Sequence, residues 1–311
     1  MRILITGGAG FIGSHVADAY LKQGHQVAVV DNLSTGCKEN LNKNVSFYQF
    51  SVQSSSLEDV FSNFRPDIVN HHAAHIDLRR SVIDPIMDAE NNIIGMLNLL
   101  TLSVKYGVKK ILFASTGGAI YGEPVQLPVS ETAEARPVSP YGIHKLTSEH
   151  YLRTWRYLHD LDFTVLRYPN VYGPRQDPKG EAGVVAIFSI QMLTGCQPVI
   201  FGDGSKTRDY LFVSDIVKAN ILALEKGSGE IFNLGFGKEI SDAQVFKTVR
   251  NAVKIEIEPS LERVRPGEVY RISLNADKAK NILGWKPEIS FDRGVEQTVS
   301  YYREHLARYQ S

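Results

Sequence analysis

The first 36 residues, MRILITGGAGFIGSHVADAYLKQGHQVAVVDNLSTG (1–36), decide the fold. Residues 2–6 are a short apolar run that stops at Gly7-Gly8, as a strand buried on both faces does. From Phe11 the apolar spacing becomes helical, with Ile12, Val16, Ala19 and Tyr20 on one side and Gly24 at the end. Residues 26–31 (QVAVVD) are a second buried strand. Gly7, Gly10 and Gly13 stand between the first strand and the first helix, spaced G-x-x-G-x-x-G. One glycine permits a sharp turn, another lets backbone approach a pyrophosphate, and a third lets helix pack on strand. The N–H groups opening the helix, at Phe11 and Ile12, then face phosphate charge. Asp31 ends the second strand, about 20 residues past these glycines, where an acid accepts hydrogen bonds from the adenine ribose. Its charge repels a 2′-phosphate, so NAD is expected rather than NADP.

Outward from this unit the alternation continues. The spacing predicts strands at 45–50, 67–70, 110–115 and 163–167, and helices at 57–64, 85–106 and 141–158. Strands and helices in this order make an α/β fold, a Rossmann-type doubly wound parallel sheet. After Tyr168 the texture turns to Gly, Pro and short strands, with helices predicted at 182–193, 215–225, 276–283 and 294–307. The expected division is an NAD-binding domain over 1–169 and a smaller mixed α/β C-terminal substrate domain over 170–311, with some chain crossing back to the sheet.

Composition excludes several classes. Of 311 residues, 43% are hydrophobic and 22% charged, as in an ordinary globular chain. Lys plus Arg and Asp plus Glu both number 34, so no net basic field points to nucleic acid or an anionic membrane. An anionic ligand must be held by a few placed residues. The two cysteines, Cys37 and Cys196, offer neither a disulfide framework nor a zinc spacing. With no room for a signal peptide before the first strand and no membrane-length apolar run, a cytoplasmic protein is expected.

Tyr141 and Lys145, four residues apart on one helical face, are the candidate catalytic pair. A phenol titrates near 10, and a nearby ammonium and a nicotinamide cation are expected to lower it toward a usable general base. Tyr106 and Lys110 share the spacing, but Gly107 at a helix end separates them, so they are expected to be structural. The hydroxyl partner comes from FASTGGAIYG (113–122), at the C-terminal end of a strand. Thr116 is the preferred hydroxyl for a hydrogen-bond relay to Tyr141, with Ser115 as the alternative.

With these motifs, TGGAGFIG (6–13) resembles the extended short-chain dehydrogenase/reductase family along nearly the whole chain. Dehydratases and decarboxylases of that family carry an acid soon after the hydroxyl, whereas Gly117-Gly118-Ala119 stands here. DNLSTG (31–36), STGGAIYG, SPYGIHK and NVYGPRQDP resemble the C4-epimerases of UDP-hexoses. That resemblance implies reversible epimerisation of UDP-glucose and UDP-galactose through a 4-keto sugar, with UDP-N-acetylglucosamine or UDP-glucuronate as alternative substrates. It implies cofactor contacts at Asn32, Leu33, Ser34, Thr35, Gly36, Ser51, Val52, Ala73, Ala74, His75, Asn92, Ser115 and Pro169. It puts the UDP-sugar against Thr116, Tyr141, Asn170, Gly183, Val184, Val199, Phe201, Arg208, Arg265, Glu268 and Ile272. Arg208 and Arg265 would clamp the diphosphate, two guanidinium forks for two phosphates. It also implies a homodimer built on the helices at 85–106 and 141–158.

Three departures stand out. Ser51 replaces the acid many relatives carry near the adenine, Glu268 replaces an Asp in the phosphate clamp, and Ile272 occupies the position facing the sugar 2-substituent. His71, His72 and His75, near Asp77, suggest a metal; their place at a strand end in the cofactor-lining loop favours packing instead, and no metal is expected. A non-catalytic NAD-sensing module is the alternative class, opposed by the intact Tyr141, Lys145 and Thr116.

Overall fold

The computed structural model describes residues 1–179, 183–264 and 269–309. Its first part runs β1 (Arg2–Thr6), α1 (Phe11–Lys22), β2 (Gln26–Val30), β3 (Ser46–Tyr48), α2 (Leu57–Phe64) and β4 (Ile68–His71). Then follow α3 (Leu78–Ile83), α4 (Pro85–Ala89), a π-helical turn (Glu90–Ile94), α5 (Gly95–Lys105) and β5 (Lys110–Thr116). The short α6 (Gly117–Ile120), the long α7 (Pro140–His159) and β6 (Asp162–Tyr168) complete it. Beyond lie β7 (Asn170–Tyr172), α8 (Val184–Leu193), β8 (Val199–Phe201), β9 (Thr207–Arg208), β10 (Tyr210–Phe212) and α9 (Val213–Ala223). The chain continues through β11 (Glu230–Asn233), β12 (Ile240–Ser241), α10 (Asp242–Val253), β13 (Ser260–Glu262), a second π turn (Ala279–Leu283) and α11 (Phe291–Glu304).

Seven strands form one sheet in the order β11-β6-β5-β4-β1-β2-β3, and every pairing is parallel. This is the doubly wound sheet that the alternating pattern predicts. Alternate residues of each strand feed opposite layers. Ile3 and Ile5 pack with Val16 and Tyr20 of α1, while Leu4 packs with Leu57 of α2 and Leu99 of α5. Strand order reverses between β1 and β4, so their C-terminal ends open a crevice, the usual ligand position in such sheets. Among the described residues no helix is long and apolar enough to cross a membrane.

Several local expectations need correction. The helix predicted at 85–106 is interrupted by the π turn, an extra-residue feature that apolar periodicity cannot register. α3 and α10 were not anticipated. Asp77, near the histidines, is the N-cap of α3: its Oδ1 accepts from Arg80 N at 2.7 Å. α10 opens with a capping box in which Ser241 and Gln244 satisfy each other's backbone N–H, a signal present in the sequence. The helix predicted from 294 starts three residues earlier, at Phe291.

Candidate active site

The glycine turn brings three loops together. Gly7 has φ +69°, and a Cβ there would lie 2.6 Å from Ala73 N. Only glycine lets β1 and the loop after β4 meet this closely. Gly10 starts α1 without a side-chain cap, and no acid stands in its first turn, so anion-binding N–H groups face the crevice edge. Asp31 is 8% exposed; its Oδ2 accepts from Ala9 N at 2.9 Å and its Oδ1 from Leu33 N at 2.8 Å. A carboxylate has about four acceptor sites, so two remain for ribose hydroxyls. The following loop is open: Asn32, Ser34 and Thr35 are exposed and Gly36 packs on Asp31. Ser51 is half-buried, and Val52 is buried with its carbonyl accepting from Asn98. These residues fit a dinucleotide.

Ser139 caps α7, Pro140 occupies its first turn, and Tyr141 and Lys145 follow one turn apart. Gly142 sits against α6, where a Cβ would come within 2.6 Å of the Ala119 carbonyl. That contact presses the start of α7 onto the turn after β5. Lys145 Nζ donates to the Ala114 carbonyl at 2.8 Å and lies 4.7 Å from the Phe113 ring centroid and 5.9 Å from that of Tyr141. Burial pushes Lys145 down to about 8, against the carboxylates of Asp88 and Glu149. The expected lowering of Tyr141 is not found in the protein alone. Burial, and then the Asp88 charge, hold its phenol above its ordinary value.

Ser115 and Thr116 point to different tasks. Ser115 Oγ donates to Glu149 Oε1 at 2.6 Å inside a buried network. Arg167 grips Glu149 through Nε at 2.9 Å and Nη2 at 2.6 Å, and donates from Nη1 to the Tyr121 hydroxyl at 2.6 Å. Thr116 is only half-buried at the lip of the crevice. Its Oγ1 and the Asn170 Oδ1 lie 3.9 and 3.8 Å from where a side chain on Gly118 would begin. A hydroxyl and an amide thus flank the same glycine, and Pro169, next to Asn170 in the chain, is half-buried.

On the opposite lip, Gly183 is the N-cap of α8 and Val184 its first residue. Val199 and Phe201 turn away from the core while Ile200 between them is buried. Arg208 is half-exposed and donates to the carbonyls of Thr207 at 2.8 Å and Tyr270 at 3.4 Å. Ile272 is 2% exposed in a small cluster with Tyr121, Val129 and Leu274. Arg265 and Glu268 lie outside the described residues.

The histidines diverge. His71 Nδ1 pairs with Thr6 Oγ1 at 2.6 Å and its ring stacks on Phe113; His72 stacks on Tyr168. Burial, with the Lys145 ammonium second, pushes both down to about 3. His75 is clamped by Asn92, which accepts from its N–H and donates to its carbonyl, both at 3.1 Å. Among the described residues no three His, Cys, Asp or Glu side chains are grouped as a metal site. Sequence reasoning missed Asp88, Glu149 and Arg167. Asp88 lies on a helix read only for its apolar stripe, Glu149 on the helix read only for Tyr141 and Lys145, and Arg167 at the end of a strand read only as a sheet element.

An extended short-chain dehydrogenase/reductase enzyme, binding a dinucleotide at the switch point of its sheet, is the class this fold and this helix define. The chain belongs to the NAD dependent epimerase/dehydratase family, whose profile matches residues 3–235. It is 41% identical over 309 residues to the UDP-glucose 4-epimerase of Mycolicibacterium smegmatis, covering 97% of this chain and 99% of that one. The crystal structure of the Thermotoga maritima UDP-glucose 4-epimerase with UDP-glucose is 51% identical, with TM-score 0.97 over 98% of this chain and 100% of that one. The Thermus thermophilus UDP-glucose 4-epimerase in complex with NAD is 43% identical, with TM-score 0.93 over 97% and 99% of the two chains.

Proposed function

We propose that this chain interconverts UDP-glucose and UDP-galactose by NAD-dependent epimerisation at C4, through a transient 4-keto sugar. The observation that carries the reading is that Thr116 Oγ1 and the Asn170 amide flank Gly118, in a turn without an acid, beside the α7 pair. Without an acid after Thr116, no group is in place there to eliminate water. Gly7, Gly10, Phe11, Ile12, Gly13 and Asp31 would hold the dinucleotide, with Ala73, Ala74 and His75 along the nicotinamide side. When bound, NAD supplies the hydride acceptor and donor and a positive charge next to the phenol. Tyr141 takes the proton of the 4-hydroxyl and returns it after the sugar has turned. Lys145 stays charged beside it and favours the phenolate. The Thr116 hydroxyl bridges Tyr141 and the sugar oxygen, since Ser115 is committed to Glu149. Asn170 and Arg208 hold the nucleotide sugar, and Arg265 and Glu268 complete the diphosphate clamp.

Purified protein should convert UDP-glucose to a UDP-hexose of unchanged mass without added NAD, and reach one ratio from either epimer. Chromatography with mass detection reads this. No conversion with or without NAD refutes the reading, and faster turnover of UDP-N-acetylglucosamine or UDP-glucuronate redirects it to those sugars.

The enzyme is further proposed to be a cytoplasmic homodimer. Free Cys37 and Cys196 suit a reducing compartment. Val82, Ile83 and Ile86 are exposed by 62%, 82% and 72% on α3 and α4, which pack against α7, where Ile143 is also exposed. Light scattering should give twice the chain mass, and Ile83→Glu should halve it.

A further inference from the structure

Asp88 and His144, beside the Tyr141–Lys145 pair, have no part in the chemistry above. Asp88, on α4, is a carboxylate at 0% exposure. Each of its oxygens meets an imidazole: Oδ1 with His75 Nδ1 at 3.2 Å, and Oδ2 with His144 Nδ1 at 2.6 Å. The three residues come from three segments. His75 lies in the loop after β4, next to Ala73 and Ala74, and Asn92 clamps its peptide from both sides. His144 lies on α7, three residues after Tyr141 and adjacent to Lys145. One carboxylate therefore ties the cofactor-lining loop to the helix that carries the tyrosine and lysine.

We propose that Asp88 is a positioning residue for Tyr141 and Lys145, fixed by His75 and His144, and that its negative charge sets the pH range in which that pair works. This inference rests on the epimerase reading. A buried carboxylate carries a desolvation cost that only good hydrogen bonding offsets, and here two rings supply it. Burial alone drives Lys145 toward the neutral amine, and the Asp88 charge opposes that. The same charge opposes the Tyr141 phenolate. Asp88 thus moves both ionisations upward. The groups facing it are His75 from the loop and Tyr141, His144 and Lys145 from α7. From α3, Ser81 accepts from Tyr141 N, while Arg79 and Arg80 are exposed. Glu149, His71 and His72 bear on Lys145 from α7 and the end of β4.

The test is the pH profile of kcat on UDP-glucose for the wild type, Asp88→Asn, His144→Asn and His144→Leu. It is paired with NMR titration of Lys145 in protein labelled at lysine Cε, the signal assigned with Lys145→Arg. In Asp88→Asn both limbs of the profile and the Lys145 titration should move to lower pH by about one unit, the scale of one nearby charge. KM for UDP-glucose should stay within about twofold, since, among the described residues, the side-chain hydrogen bonds of Asp88 go to His75 and His144 and not to the proposed UDP anchors. His144→Asn, which keeps an N–H donor, should retain kcat, whereas His144→Leu should lose about tenfold through misplacement of the pair. A uniform loss of kcat with unshifted limbs and an unshifted Lys145 overturns the proposal, as does full activity in His144→Leu. If Asp88→Asn does not fold, the two His144 variants decide. A wild type that fails to epimerise refutes the epimerase reading, and the Lys145 titration still decides the role of Asp88.

Discussion

The two walls of the site are built to different standards. Under the cofactor wall, β5 and β6 run in unbroken parallel register from Lys110↔Asp162 to Thr116↔Tyr168. The sugar wall is made of fragments: β9 and β12 pair over two residues, β8 and β13 over three, and Val129↔Leu274 and Thr207↔Arg271 are isolated bridges. The ion pairs follow the same division. Arg167 and Glu149 are 6% and 2% exposed, whereas Arg271 and Glu239, joined as closely, are 57% and 24% exposed. Proton transfer needs fixed distances, while a hexose that must offer both faces of C4 needs room to turn. In the proposed reading the rigid wall carries the reacting groups and the looser wall holds the nucleotide.

The largest effect should come from the rigid wall. Tyr141→Phe should lower kcat by two to four orders of magnitude, the worth of one general base. UDP binding, measured by calorimetry, should change little, because the proposed phosphate anchor Arg208 lies on the other wall. Retention of more than about a tenth of kcat breaks the division of labour.

Next is a paired test of stability. Glu149→Leu leaves the Arg167 guanidinium buried without its partner, and denaturant unfolding should show a loss of about 3–5 kcal/mol. Glu239→Gln cuts the exposed pair and should cost under about 1 kcal/mol. Equal losses would mean that the two walls are held alike.

What could be read in the sequence follows from how local each feature is. Gly7, Gly10, Gly13 and Asp31 sit inside one strand–helix–strand unit, and Tyr141 and Lys145 inside one helical turn, so spacing can nominate them; Gly107 between Tyr106 and Lys110 is what sets the second such pair apart. Thr116 could be favoured but not separated from Ser115. The separation depends on Glu149, brought beneath β5 by the packing of α7. The Asp88 cluster joins residues 75, 88 and 144, and no spacing rule links three segments. The π turn after α4 is likewise invisible to a 3.6-residue period. Nor did any pattern foretell that burial and the Asp88 charge would raise the Tyr141 phenol, because desolvation is a property of the assembled core.

On the looser wall the expected effects are smaller. Arg208→Ala should raise KM for UDP-glucose about tenfold, the worth of a charged hydrogen bond, with kcat changed far less. A fall in kcat at constant KM would place Arg208 in the chemistry and blur the contrast between the walls.

The smallest effect concerns how the fragments are joined. Asp209, 1% exposed between β9 and β10, accepts from Phe236 N at 3.0 Å, Gly237 N at 3.0 Å and Leu274 N at 3.1 Å. One carboxyl group thus ties two separate segments to β10. Burial outweighs the three donors and pushes Asp209 up to about 7. Its folded pKa exceeds the unfolded one, so its contribution is complete at low pH and fades as pH rises through 7. Between pH 6 and 7 the loss should be about 1 kcal/mol. His15, His71 and His72, depressed by burial, act in the opposite direction below pH 6.5. The decisive quantity is therefore the difference in stability between wild type and Asp209→Asn, followed from pH 5 to 8. That difference should shrink as pH rises. A constant difference would mean that the three N–H donors keep Asp209 ionised throughout, and that the sugar wall is held as firmly as its counterpart.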